Sequence, residues 1–247
     1  MSIVSARLAK AALAMTVTGL SSVATVAPAQ ELMVPESSYT VMLNQDSFFG
    51  FYPSFNGLMA LSENMDFSFY GIFWTTPDFA SNAPGGADLW TEFGAGVNLK
   101  YMDGKLNVKP QLGITNGVLQ SGPSDGAGNF GDGIVPSLTI NYSDDYFELE
   151  SYNGYYIATA DSDGNDFLHL WINGGYKFAD FASGGLHYEW LDIPSADGDT
   201  VLYKWFGPYV QFSVDSGLFA RFTAGSQIDA AGGEEGDFYK LNVGMSF

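Results

Sequence analysis

The chain carries only two histidines, His169 and His187, in the segments "FLHLWINGGYKF" and "GGLHYEWLDI". If the two segments form a hairpin turning near Asp180, His187 stands opposite Asn173 and Glu189 lies diagonal to His169. A carboxylate so placed could orient an imidazole as a general base. The rest of that chemistry is missing, because the sequence contains no G-x-S-x-G elbow. Both histidines also fall on the polar phase of their strands, where neighbouring imidazoles ordinarily serve as hydrogen-bonded structural groups. The expectation is a protein that is not an enzyme and needs no cofactor.

A second candidate chemistry is cation binding by "DSDGND", with Asp161, Asp163 and Asp166 as ligands. The pattern is weak: its glycine stands at the fourth place rather than the sixth, and no glutamate closes the loop. Solvated acidic loops, screened by divalent cations as loose partners, are the expected reading.

The elements that must position these residues are strands. The mature chain reads as alternating segments of roughly ten or more residues with turn signals between them. In "LNVKPQLGIT", Leu106, Val108, Pro110, Leu112 and Ile114 face one way, while Asn107, Lys109, Gln111, Gly113 and Thr115 face the other. "LWTEFGAGVNLKY" splits likewise, and Asp103-Gly104 between the two marks a hairpin. Short turns alternate with long, acidic, Gly-rich connections at 77–87, 119–132, 160–166, 193–199 and 229–237. About half of the acidic residues lie in or beside those connections.

Eleven segments are clear from about Ser47 onward, and "YTVMLNQ" (Tyr39 to Gln45) is added as an opening strand so that both termini lie on one side. The expected fold is all-β, a closed antiparallel barrel of twelve strands, with ten as the alternative. The stretch from Gln45 to Gly57 has the weakest alternation, since Pro53 and two glycines interrupt it, and it could also be a short inserted segment. A soluble β-sandwich remains the contrasting fold, and it requires a second sheet to cover the apolar phase.

Charge sharpens the choice. Lys100, Lys109, Lys177, Arg221 and Lys240 all fall on the polar phase, and Lys204 is the exception. Charges facing lipid cost a few kcal/mol each near the midplane, so the polar phase belongs inside. The residues expected to line the interior are Glu92, Lys100, Lys109, Glu148, Glu150, His169, Lys177, His187, Glu189, Arg221 and Lys240. Outward aromatics such as Tyr101, Tyr142, Tyr176, Phe178 and Trp190 sit near strand ends, where rings with one wet edge settle at a bilayer boundary.

The amino terminus reads as a secretory leader. Arg7 and Lys10 precede a short apolar run that closes at Ala27-Pro28-Ala29, giving a cleaved segment 1–29 and one domain over 30–247. Against 28 acidic residues there are 9 Lys and Arg; losing Arg7 and Lys10 leaves 7 − 28 = −21. Such a surface does not suit nucleic acid. The absence of cysteine fits a large closed sheet better than a stapled secreted domain.

The chain ends "YKLNVGMSF", with Tyr239, Leu241, Val243, Met245 and Phe247 on one face. This resembles the carboxy-terminal signature of bacterial outer-membrane β-barrel proteins, in which a last alternating strand ends on an aromatic. The resemblance implies a Gram-negative outer-membrane location, lipid as surroundings, and a last strand that is read by the barrel-assembly machinery and seals against the first. Within that superfamily the chain looks like a small putative-porin family. Interior rows of both charge signs suit passive diffusion of small polar solutes or ions, and an acidic mouth favours cations. The same charges could instead pair and close the lumen, leaving a sealed barrel with surface-binding loops, because twelve strands fall between filled and open barrels.

Overall fold

The computed structural model describes residues 37–75, 89–117, 119–120, 129–160, 164–194, 200–229 and 236–247. The expected leader, 1–29, lies outside them. Twelve strands follow in chain order: β1 (Ser37–Asp46), β2 (Gly50–Ser62), β3 (Met65–Thr75), β4 (Leu89–Tyr101), β5 (Leu106–Gly117), β6 (Asn129–Ser143), β7 (Phe147–Ala158), β8 (Phe167–Ala179), β9 (Ala182–Ile193), β10 (Thr200–Ser213), β11 (Leu218–Asp229) and β12 (Gly236–Ser246). Each pairs antiparallel with its sequence neighbours, and β1 pairs with β12 to close the barrel. Twelve strands are present, not ten.

The side-chain period of two decides what faces where. Val41, Leu43, Phe93, Leu112, Phe222 and Leu241 point outward and are 41–51% exposed, whereas Ser68, Glu92, Asn98 and Thr223 point inward and are nearly inaccessible. A soluble sandwich would cover the first set with a second sheet. Here one sheet closes on itself, so the outer surface is an uncovered apolar belt around a polar interior, which suits a hydrocarbon solvent.

The stretch 45–57, ambiguous in sequence, is the end of β1, a three-residue link at 47–49 and the start of β2. Pro53 is accommodated because it pairs with Leu43 on β1, while the ladder to β3 begins one residue later, at Ser54. The amide that proline lacks is therefore not demanded there.

Short links join β2 to β3, β4 to β5, β6 to β7, β8 to β9 and β10 to β11 at one end of the barrel. In the β4–β5 link, Met102 (φ 54°) and Asp103 (φ 55°) occupy the left-handed region and Gly104 N donates to Tyr101 O at 3.1 Å. That is a type I′ geometry centred one residue before the Asp-Gly pair, with Gly104 (φ 80°) extending it. In the β6–β7 link, Asp144 accepts from Tyr142 Oη at 2.6 Å and from the amides of Phe147 and Tyr146 at 2.7 and 2.8 Å. The Tyr142 hydrogen bond, followed by the two amides, holds the Asp144 carboxyl down at about 2.

The start of β1 and the end of β12 meet at this same end. Tyr39 N donates to Phe247 O and Phe247 N to Tyr39 O, each at 2.9 Å, and the two rings lie 6.0 Å apart. The terminal phenylalanine is thus the last rung of the closing seam.

Candidate permeation path

Glu189 on β9 is the hub of the interior. Its Oε1 lies 2.8 Å from His169 Nε2 and accepts from Tyr203 Oη at 2.8 Å; its Oε2 lies 3.0 Å from His187 Nε2 and pairs with Lys240. The β8–β9 register sets Asn173 across from His187, and His187 Nδ1 lies 2.7 Å from Asn173 Oδ1. Four strands, β8, β9, β10 and β12, converge on one carboxylate. A charge buried this deeply persists only when it is paired and its remaining lone pairs are filled.

Glu92 on β4 is fully buried and forms a second hub, accepting from Tyr70 Oη at 2.7 Å, Tyr156 Oη at 3.0 Å and Trp74 Nε1 at 3.4 Å. The Tyr156 bond reaches from β7 to β4, across the interior. Nearer the short turns, Arg221 on β11 binds Glu150 on β7 at 2.5 Å, and its Nε donates to Gln211 at 2.9 Å. Tyr209 Oη donates to Glu148 at 2.6 Å, passing over Gly175, where a Cβ would stand 2.1 Å from that oxygen. Gly94 similarly makes room for the Tyr70 ring. Inward glycines thus let tyrosines lie across the wall.

A cavity of about 560 Å³ runs inside the barrel. Its lining extends from Ser143, Val214, Gly217 and Ser246 at the short-turn end, past Glu150, Arg221 and Asn242, to Phe49, Trp74, His169 and Glu189. There it meets a layer of rings. Phe238 stacks on Trp205 (4.9 Å), Trp205 on Tyr203 (4.0 Å), and Tyr203 meets Phe48 (4.8 Å). Phe49 meets Trp74 (4.5 Å), and Trp74 stacks on both Tyr52 (4.7 Å) and Trp90 (4.9 Å). Phe48 and Phe49 come from the β1–β2 link, whose tip is turned into the barrel.

The structure gathers Glu148, Glu150, His169, His187, Glu189, Arg221 and Lys240 around this cavity, while Glu92 belongs to the aromatic end. Lys100 pairs with Asp66 at 2.9 Å. With the Asn141 amide turned to accept, Lys109 Nζ lies 3.0 Å from its oxygen. Lys177, on the inward phase near the short-turn end, reaches to the β6–β7 link, donating to Ser143 Oγ at 2.6 Å and Asp144 O at 2.7 Å. Lys204, the exception to the inward rule, pairs with Asp229 at 2.7 Å and lies over the Trp190 ring.

Tyr239, Leu241, Met245 and Phe247 are exposed on the outer face, and Val243 pairs with Leu43 in the seam. Two acids expected in the solvated outer layer are buried instead, Asp132 at 0% and Asp192 at 2% exposure. Asp132 accepts the Gln120 amide at 2.7 Å, so it serves as a cap for chain leaving β5. Asp161 and Asp163 lie outside the described residues, while Asp166 is engaged by the Ala158 amide at 2.9 Å; no group of three metal-ligating side chains occurs among the described residues.

Asp46, Phe48, Phe49 and Tyr203 are interior residues that strand reading did not select. The available signal was length: 47–49 is a three-residue link at the end where the other connections are long.

No curated protein matches the chain. Among solved structures, the COG4313 outer membrane channel from Pseudomonas putida F1 superposes with a TM-score of 0.55 at 12% identity, over 90% of this chain and 100% of that one. The KdgM porin gives 0.49 at 11% identity, over 84% and 99%. LpxR from Salmonella typhimurium gives 0.44 at 7% identity, over 84% and 99%. At 12% identity the likeness to that channel speaks to the fold alone, a closed antiparallel β-barrel. A family model matches residues 8–247, so the chain belongs to the family of unknown function DUF6733.

Proposed function

We propose that the protein is a porin-like channel of a Gram-negative outer membrane, passing small polar solutes and ions by diffusion with a preference for cations. The observation that carries this reading is the cavity of about 560 Å³ bordered in part by groups of both signs, Glu150 and Arg221 foremost, inside a barrel with an apolar outer belt. Fixed charges of opposite sign across a low-dielectric lumen orient water and polar solutes. Cation preference follows from the excess of acidic groups, −19 over the whole chain, concentrated by sequence at the mouth.

A sealed barrel is the second reading, favoured by the ring layer from Phe238 to Trp90. Both histidines share the single Glu189 carboxylate with Lys240, which favours a structural hub over a general base.

Purified barrel, shown folded by heat-modifiable migration, is inserted into a planar bilayer under a salt gradient. Discrete steps with a reversal potential of cationic sign are expected. Silence from inserted, folded barrel overturns the reading.

A further inference from the structure

The β1–β2 link is built to turn inward. Asp46 Oδ1 accepts the amides of Phe48 at 2.9 Å and Phe49 at 2.6 Å, an Asx-type turn that bends the chain at the end of β1. Gly50, at φ 68°, then returns the chain to β2 through a conformation that a side chain would strain. Phe49 is 7% exposed, and its ring stands among Tyr52 (5.9 Å), Trp74 (4.5 Å), Trp90 (6.4 Å) and His169 (6.5 Å). These residues come from β2, β3, β4 and β8. Phe48 reaches the opposite way, to Tyr203 on β10. Two rings from one link therefore bridge β2, β3, β4 and β8 on one side to β10 on the other. Phe49 also forms part of the cavity's boundary.

We propose that the Phe48–Phe49 tip is the constriction of this channel: it divides the cavity from the outer mouth and sets the size of solute that passes, with Asp46 as its latch. The inference rests on the channel reading. A hydrophobic constriction next to a polar vestibule limits flow by excluding water as well as by width. Asp46 Oδ1 holds both amides of the tip, and the Tyr52 hydroxyl interacts with the same carboxylate. Across the closing seam from Asp46 stands Lys240, whose ammonium is bound to Glu189 instead.

The test compares single-channel steps of the parent barrel with three variants, each shown folded by heat-modifiable migration. The double variant Phe48→Ala, Phe49→Ala removes the rings. Asp46→Ala keeps the rings and removes the latch, so it serves if the double variant fails to fold. Phe49→Leu keeps the apolar bulk and should restore the parent step.

A rise in step size of about two-fold or more is expected for the ring-less barrel, with frequent switching between two levels for Asp46→Ala. Steps equal to the parent's in both overturn the constriction and leave the channel standing. A silent parent beside a conducting variant makes the tip a full stopper and overturns free diffusion instead. Silence in every folded barrel overturns both.

Discussion

The same twelve strands line two unlike half-interiors. Going along β3 on its inward phase, Asp66 and Ser68 give way to Tyr70, Ile72 and Trp74; along β10 in the opposite chain direction, Ser213 and Gln211 give way to Tyr209, Trp205 and Tyr203. The half near the short turns is polar and hollow, and the half near the long connections is filled by rings. Eight strands can be filled by side chains of the wall, and sixteen leave a channel. At twelve, filling takes large rings from the wall and an additional hairpin tip, and it is achieved only where that tip is present. Where both are lacking, the interior stays open.

The comparison breaks most readily at Glu189, the carboxylate on which both halves converge. Glu189→Ala leaves Lys240 buried without its partner, and a loss of about 3–5 kcal/mol is expected, read as a shift in urea unfolding of the vesicle-inserted barrel. An unchanged midpoint would mean that the hub does not hold the ring-filled half together.

Gly94→Ala comes next. The new Cβ would stand 2.3 Å from the Tyr70 ring and displace the hydroxyl from Glu92, so about 1–3 kcal/mol should be lost in the same assay. Phe247→Ala removes one ring of the seam, with a cost of about 1 kcal/mol and a lower yield of folded barrel in membranes.

The hollow half should answer differently. Arg221→Gln deletes the cation facing Glu150, leaving stability little changed while cation-over-anion permeability rises about two-fold, read from the reversal potential. A large stability loss with no change in selectivity would show that this half, too, is held by packing rather than shaped for passage.

The smallest effect belongs to the β6–β7 link. Asp144 has a folded value of about 2, below its ordinary 3.8. Its stabilisation is therefore complete above the ordinary value and is lost as pH falls through about 2. The slope of stability against pH in that acid window should flatten in Asp144→Asn. An unaltered slope would mean that the exposed carboxyl contributes nothing measurable.

Alternation made the wall legible in the sequence. Because a strand's faces alternate strictly, Leu112 outward and Lys109 inward follow from counting, and the alternation of short and long links gave the direction of each hairpin. The spacing around Asp180 even placed Asn173 beside His187 and Glu189 near His169. Phase tells only which side a residue faces. It does not tell which groups meet across the interior, so Glu92 with Tyr156, or Glu150 with Arg221, could not be paired by reading strands singly. Depth was equally hidden: Lys177 is on the inward phase but sits low enough to bond the neighbouring link. The tip at 47–49 escaped because its geometry comes from a side-chain cap, Asp46 to two amides, which no periodicity reports.

The strand that ends in that tip is also one of the two staves that close the cask. Their seam is among the shorter ones in the wall, from the Tyr39–Phe247 rung to Asp46 with Lys240, and no link joins its two strands at either end. If the hoop is to give anywhere under thermal strain, it gives there first, and the bung hangs from the stave that loosens.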